Sequence, residues 1–364
     1  MRALQLLGPS TGGIRVHVAT LAAELDAIGI DAPVLGPDGV LGDLGPQAGT
    51  VDVPAGTSPL ALLGARRELR RWRAGSQLVH AHGLKAAWVA LRGRPNRPLV
   101  VTVHNVVLDE AAGRAATLQR RLERAVLARA DRVIAPTDAI ADGLSGVVRP
   151  DRLRVVVPAS PIPVLQRSRG EVRDVLGVSD DTPLVTCVAR LHPQKDLPTL
   201  LRAWERVVVG VPDARLVVVG EGPDRAALTE QLRVSGLDGS VDLVGFDPHA
   251  VDWIGAADVA VISSLWEAIP LVLAEAMQLG VPVVSTDVGL ARVLLDDGRC
   301  GAVVPVGDAA ALAVAIEGLV SDRGRIRRAG VAARELAADR FEPSALTLEV
   351  ARVYDELVDT GGAR

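Results

Sequence analysis

"VAVISSLWEAIPLVLAEAMQLGVPVVST" (259–286) contains a whole strand–loop–helix–strand unit. "VAVIS" is a short, wholly apolar run ending in Ser, the mark of a strand buried on both faces. In "PLVLAEAMQLG", Pro270 suits the first turn of a helix and Gly280 suits its end. "PVVST" is the next buried strand. Two apolar strands joined by a crossing helix make a parallel pair. Two acids mark the unit: Glu267 in the loop and Glu275 in the helix, with seven residues between them. Carboxylates accept hydrogen bonds from sugar hydroxyls. In a helix otherwise almost wholly apolar, the charge of Glu275 needs a partner or a function.

The same rhythm runs outward in both directions. Toward the N-terminus lie the strand segments "SVDLVG", "ARLVVVG" and "PLVTCVA"; toward the C-terminus lie "GAVVPVG", the helix "AAALAVAIEGLVSD" and two further helical segments, 323–339 and 343–359. At 158–170, "PASPIPVLQRSRG" breaks the rhythm with three prolines in six residues, which reads as an interdomain crossing. Before it, strands "ALQLL", "DAPVLG", "QLVHAHG", "PLVVTVHN", "RVIAP" and "RLRVVVP" alternate with helical segments, and Thr137 is the candidate cap of "TDAIADGLSG". The expectation is α/β, with two doubly wound Rossmann-like domains: 1–160 and 165–340, with a C-terminal helix about 343–364 belonging to the first. Ligands of such sheets bind outside the carboxyl ends of the strands, so a cleft between two of them is the default site.

The chain has 364 residues, 49% hydrophobic, ample for two large cores. Aromatic residues make up 2%, too few for a base-stacking nucleic-acid platform. The net charge of −4 hides an asymmetry: residues 1–160 carry +6 and the rest −10, so the two halves face different partners. Cys187 and Cys300 make no disulfide framework. "MRALQLLG" is too short for a secretory h-region, and no uncharged apolar stretch reaches the roughly 18 residues of a membrane span, so the expected compartment is the cytoplasm.

Chemistry is expected in the loops after strands. "GPSTGGIRVH" (8–17) opens the first helix, and Gly12 and Gly13 leave its backbone bare for an anionic group. It is not the dinucleotide fingerprint, and Asp38 falls in a turn rather than closing the second strand. His80 and His82 share one strand face, and His104 stands at the tip of "LVVTVHN", the better functional candidate. No Asp, Glu or Cys cluster accompanies these histidines, and no metal site is assigned. In "VARLHPQKDL" (188–197), Arg190 ends a strand and Lys195 precedes a helix that begins near Asp196. The chain has two lysines among 40 basic residues. A fork and a point charge five residues apart suit a diphosphate, and a bare cation at a helix N-terminus needs an anion.

At these residues the chain resembles the retaining GT-B glycosyltransferases of family 4, over nearly its whole length. The Glu-x7-Glu pair, Glu267 and Glu275, is intact; "VARLHPQKDLPTLLRAW", "LVVVGEGPDRAAL", "VDLVGF", "GGIRVHVATLAAEL", "VTVHN" and "RFEPSALTLEVARVYDEL" also fit. The resemblance implies a GT-B fold, with the two domains facing across a cleft and the C-terminal helix crossing back to the first. It implies an N-terminal acceptor domain and a C-terminal donor domain. Arg190 and Lys195 would hold the donor diphosphate, and Glu275 the ribose hydroxyls. Glu267 and the amides around Ile269, Pro270 and Leu271 would hold the donor sugar. The turn at Gly245 and Phe246 would lie along the base, Gly13 would let helix one approach the phosphates, and His104 would sit beside the sugar near the anomeric centre. The reaction would be metal-independent transfer from a nucleotide diphosphate sugar to an acceptor hydroxyl with retention, as in glycoconjugate or cell-envelope synthesis, with no cofactor. Cations at the phosphates stabilise the departing charge. Two departures stand out: "VPASPIPV" at the crossing, and Val293 where the family often has Glu.

The acceptor belongs on the basic half. "ARRELRRWR" and "RRLERAVLAR" leave two readings open, a solvated Arg-rich surface or peripheral contact with anionic lipid at the inner face of the membrane. Nucleic acid is not an expected partner. Two rival functions share the architecture: a nucleotide-sugar epimerase and a non-catalytic nucleotide-sugar-binding subunit.

Overall fold

A computed structural model of the chain describes residues 1–9, 13–41, 49–54, 58–93, 97–104, 114–158, 160–267 and 270–361. The chain divides into two compact units, Met1–Pro161 with Glu342–Arg364, and Ile162–Phe341.

The first unit alternates strands and helices: β1 (Ala3–Leu7), α1 (Gly13–Ala27), β2 (Val34–Gly36), α2 (Asp38–Leu41), β3 (Gly49–Thr50), α3 (Pro59–Trp72), β4 (Leu78–His82), α4 (Leu84–Gly93), β5 (Leu99–Thr102), α5 (Arg114–Leu127), β6 (Arg132–Ala135), α6 (Asp138–Leu144) and β7 (Leu153–Val155). Its seven strands are all parallel in the order β3-β2-β1-β4-β5-β6-β7, so the order reverses between β1 and β4. β1, β4 and β5 are buried along their whole length, which explains why they are mostly apolar and places the polar Gln5, His80, His82 and Thr102 within the core. Thr137 caps α6, accepting from the Ile140 N–H at 3.1 Å. Asp38 does not lie in a turn as expected: it opens the one-turn helix α2, which buries Val40 and Leu41.

The second unit contains α7 (Arg169–Leu176), β8 (Leu184–Val188), α8 (Leu197–Gly210), β9 (Arg215–Val219), α9 (Arg225–Ser235), β10 (Val241–Gly245), α10 (Ala250–Ala256), β11 (Val259–Ile262), α11 (Leu271–Leu279), β12 (Val283–Thr286), α12 (Ala291–Leu294), β13 (Gly301–Val304), α13 (Ala309–Val320) and α14 (Arg323–Arg340). Its six parallel strands run β10-β9-β8-β11-β12-β13, reversing between β8 and β11. One face of this sheet buries Trp204, Leu200, Leu312 and Ile316 against Val185 and Val261; the other buries Val172 and Trp253 against Leu184 and Val217. The helix α15 (Pro343–Gly361) belongs to the first unit, where Val350, Val353, Tyr354 and Leu357 pack on Leu21, Leu25, Leu78, Val100 and Ile134.

The amino ends of β8 and β11 are stapled by a buried ion pair. The guanidinium of Arg173 donates to Asp258 at 2.9 Å and to the carbonyls of Ala256, Ser179 and Thr182. Asp258 also accepts from Arg169 at 2.6 Å and from the Leu184 N–H at 2.8 Å. Burial lowers the Arg173 pKa, and the Asp258 charge opposes that. Every charge here has several hydrogen-bonding partners, the condition for a buried pair to be tolerated.

Candidate active site

In the second unit, the point where strand order reverses lies between β8 and β11, where a doubly wound sheet opens a crevice beyond its carboxyl ends. Two loops meet there. The loop after β8 carries Arg190, His192 and Lys195; the loop after β11 carries Ser263, Ser264 and Glu267. They are stitched together by their own polar groups. Ser263 Oγ donates to the Lys195 carbonyl at 2.7 Å, the Leu265 N–H to the Gln194 carbonyl at 2.8 Å, and Gln194 Nε2 to the Trp266 carbonyl at 3.0 Å. From the end of β12, Thr286 Oγ1 donates to the Ser264 carbonyl at 2.7 Å.

Across this seam Lys195 Nζ donates to Glu267 Oε1, and Ser264 Oγ donates to the same oxygen at 2.9 Å. The sequence left Lys195 as a bare cation awaiting a ligand anion; its first anion is Glu267, 72 residues on. Both donors reach Oε1, and no hydrogen bond to Oε2 forms among the described residues. The loop turns back at Asp196, whose φ of 44° lies in the left-handed region that Asp tolerates better than most residues. Arg190 is exposed and lies outside this bonded set.

Glu275 lies on α11, partly buried, with no hydrogen bond or ion pair among the described residues. Burial pushes its carboxyl pKa up to about 7. An unpartnered acid beside the switch point is the kind of group that a ligand's hydroxyls complete. Pro270 corrects a detail: it is the residue before the helix, with ψ 112°, and Leu271 is the first helical residue. Among the described residues no side chain caps α11, so the N–H groups at its start, from Leu271, are left for other acceptors. Ile269 lies outside the described residues.

The neighbouring strand ends are held close by glycines. Leu191 N–H donates to the Glu221 carbonyl at 3.0 Å and Gly220 N–H to the Gly245 carbonyl at 2.8 Å. A Cβ on Gly220 would lie 2.0 Å from the Ala189 carbonyl oxygen, and one on Gly222 2.1 Å from that of Leu191. Gly245 has φ 87°, and Phe246 after it is exposed.

The first unit gathers histidines at the carboxyl ends of β4 and β5. His80 Nδ1 meets Tyr354 Oη of α15 at 2.7 Å, and its Nε2 meets Thr102 Oγ1 at 2.7 Å, so both ring nitrogens are satisfied within the core. His82 Nε2 meets Gln5 Oε1 of β1 at 3.0 Å, and His104 Nε2 lies 3.4 Å from His82 Nδ1. His17 of α1 joins them, its ring centroid 5.9 Å from that of His82 and 5.5 Å from that of His104. Burial, aided by His17, takes the His80 pKa down to about 3, and burial and the other rings hold those of His82 and His104 well below the ordinary imidazole value. A cavity of about 10 Å³, room for about one water, adjoins His17, His80 and Thr102. Gly13 is the exposed first residue of α1; Gly12 lies outside the described residues.

Residues 182–322 match the family Glycosyl transferases group 1, and residues 12–159 match the Glycosyl transferase 4-like domain. The 2-deoxystreptamine N-acetyl-D-glucosaminyltransferase of Streptomyces fradiae is 34% identical over 75% of this chain and 69% of its own. A D-inositol 3-phosphate glycosyltransferase of Catenulispora acidiphila is 30% identical over 78% of this chain and 71% of its own. The chain belongs to the group 1 glycosyltransferases. Among solved folds, Anabaena HepE in complex with UDP superposes with a TM-score of 0.84 over 98% of this chain and all of that one, at 22% identity; HepE is also known in complex with UDP-glucose. Two parallel sheets, flanking helices and the C-terminal helix on the first unit make this glycosyltransferase a GT-B protein. Among its described residues no helix is long and apolar enough to cross a membrane.

Of the residues singled out in the sequence, the structure brings Lys195 and Glu267 into one bonded set. It isolates Glu275 and leaves Arg190 and Phe246 exposed. Sequence reasoning gave no role to Ser264, Gln5, Thr102, Tyr354 or His17. For His17 a signal was present: it falls on the face of α1 that also carries the buried Val18, Leu21 and Leu25.

Proposed function

We propose that this glycosyltransferase moves a sugar from a nucleoside diphosphate sugar to an acceptor hydroxyl with retention of anomeric configuration, with no metal at the donor phosphates. The observation that carries the reading is the Lys195–Glu267–Ser264 set at the β8/β11 switch point, with the unpartnered Glu275 on α11 following the same loop. A diphosphate brings the anion that Arg190 and Lys195 suit, and ribose hydroxyls bring the donors that Glu275 lacks. Glu267, already oriented by Lys195 and Ser264, keeps Oε2 for a sugar hydroxyl. The N–H of Leu271 at the start of α11 adds a donor for the sugar, Pro270 having none, and Gly245 with Phe246 borders the base. As the anomeric bond breaks, negative charge grows on the diphosphate, and fixed cations stabilise it without reorganisation. In the first unit, Gly12 and Gly13 serve the anionic groups, and His104 acts on the transferred sugar. The HepE complexes with UDP and UDP-glucose support a donor of this class.

A thermal-shift screen of nucleoside diphosphates and their sugars identifies the donor, since a bound ligand stabilises the fold by mass action. The product formed with that donor and an amino-cyclitol or inositol-phosphate acceptor is then read by NMR at the anomeric carbon. Expected are a retained anomer, dependence on acceptor, and full activity in EDTA. An inverted anomer, or turnover without acceptor, defeats the reading. We further propose that α3, which carries Arg66, Arg67, Arg70 and Arg71 and exposes Leu60 and Leu63, rests on anionic lipid. Sedimentation with anionic vesicles at low salt tests it, and absence of binding ends it.

A further inference from the structure

The histidine cluster of the first unit brings one ring nitrogen from each of three side chains into one small volume. Gln5 Nε2 donates to the Ala3 carbonyl at 2.9 Å and lies 3.2 Å from Tyr354 Oη, which turns its Oε1 toward His82. His82 Nε2 therefore carries the proton, and His82 Nδ1 presents a lone pair. That lone pair faces His104 Nε2 at 3.4 Å, longer than an ordinary N–H···N or N–H···O bond. Two imidazole nitrogens at roughly 2.0–2.1 Å from one tetrahedral ion stand ~3.3–3.4 Å apart. His17 completes the set. The three ligand nitrogens lie within 4.8 Å of one another, and all three residues are buried. Their ring centroids form a nearly equilateral triangle of 5.5, 5.6 and 5.9 Å.

From this we infer that His17, His82 and His104 form a site for one borderline-soft divalent metal of the zinc class. Three imidazoles with a fourth position open suit Zn²⁺, Co²⁺ or Cu²⁺, and the lack of carboxylates disfavours Mg²⁺ and Ca²⁺. Gln5 is the outer-shell acceptor that fixes the His82 tautomer, the role such groups play behind metal-bound imidazoles. Resting on the functional reading above, a filled site takes His104 out of the reaction, so the metal inhibits transfer instead of supporting it.

Co²⁺ is the probe, because four-coordinate Co²⁺ absorbs visibly. The full-length protein is expected to bind one equivalent with intense bands that Zn²⁺ displaces. His82→Ala and His17→Gln abolish the bands, Gln5→Leu weakens affinity by about 10–100-fold, and His249→Ala, whose imidazole is outside the cluster, changes nothing. Circular dichroism checks the fold of each variant; if His82→Ala unfolds, His17→Gln decides. No stoichiometric binding, or bands that survive both cluster variants, overturns the site. Bands lost as expected while Zn²⁺ leaves transfer unaffected support the site and remove His104 from the proposed reaction.

Discussion

The two ends of the strand pair β8 and β11 hold charge in opposite ways. At the amino ends, Arg173 and Asp258 are saturated: the guanidinium has four acceptors, and the carboxylate takes two arginines and a backbone N–H. At the carboxyl ends, Glu267 is held through one oxygen, Arg190 faces solvent, and Glu275 has no partner among the described residues. The same two strands thus carry a finished network at one end and an unfinished one at the other. A saturated buried charge is there for the fold, whereas an unsaturated one lowers stability and is kept for what binds it.

The contrast is broken most severely at the saturated end. Asp258→Ala strands the buried Arg173 and is expected to lower stability by about 3–5 kcal/mol, read by denaturant unfolding. A loss below 1 kcal/mol would show that the network is not structural. At the other end, Lys195→Ala should leave stability nearly unchanged and lower kcat/KM by about 10²–10³-fold. Lys195→Arg should also lose most activity, since a planar fork replaces a compact ammonium; a fully active Arg variant would make the lysine incidental.

Glu275 sharpens the comparison through pH. Its carboxyl titrates near 7 in the folded chain and near 4.5 unfolded. Between those values the folded state holds the proton that the unfolded state has released, so stability falls as pH rises from 4.5 to 7. Above 7 the loss is complete, about 3 kcal/mol. Glu275→Gln should therefore raise the melting temperature at pH 8, leave it unchanged at pH 4, and weaken donor binding. Wild-type donor affinity should fall as pH drops through 7, and a pH-independent Kd would take Glu275 out of the donor site. The smallest effect lies in the first unit. The His80 pKa is depressed to about 3, so its contribution is present above 6.5 and is lost as pH falls. At pH 5.5 that loss is about 1.4 kcal/mol, and Thr102→Val, which removes one of its hydrogen-bond partners, is expected to change the pH slope of unfolding.

Both parallel sheets were legible because strands buried on two faces are mostly Val, Leu and Ile, with few polar positions such as Gln5, His80 and His82, and such runs stand out from amphipathic helices. β3, with two residues, has no such pattern. α7 was hidden differently: "SRGE" spells a capping box, and Ser168 and Glu171 do form one, but the prolines before it drew the segment into the crossing. Glu267 and Lys195 were legible as chemical types in strand-end loops, and Glu275 as an acid in an apolar helix. Their pairing was not, because a link between residues 72 apart depends on which strands become neighbours. The histidine cluster needed β1, β4, β5, α1 and α15 assembled before its rings could be seen together.

Gly220 and Gly222 have one more consequence. With carbonyl oxygens about 2 Å from where a Cβ would stand, the paths of these two turns are closed to variation. In a library randomised over the strand-end loops and selected for folded protein, glycine should be the survivor at both positions, while the exposed Phe246, Leu265 and Arg190 beyond them accept many residues; selection for activity should then restore Arg190. New preferences for a donor would then arise by changing side chains on a fixed frame, and rarely by rerouting the backbone that carries them.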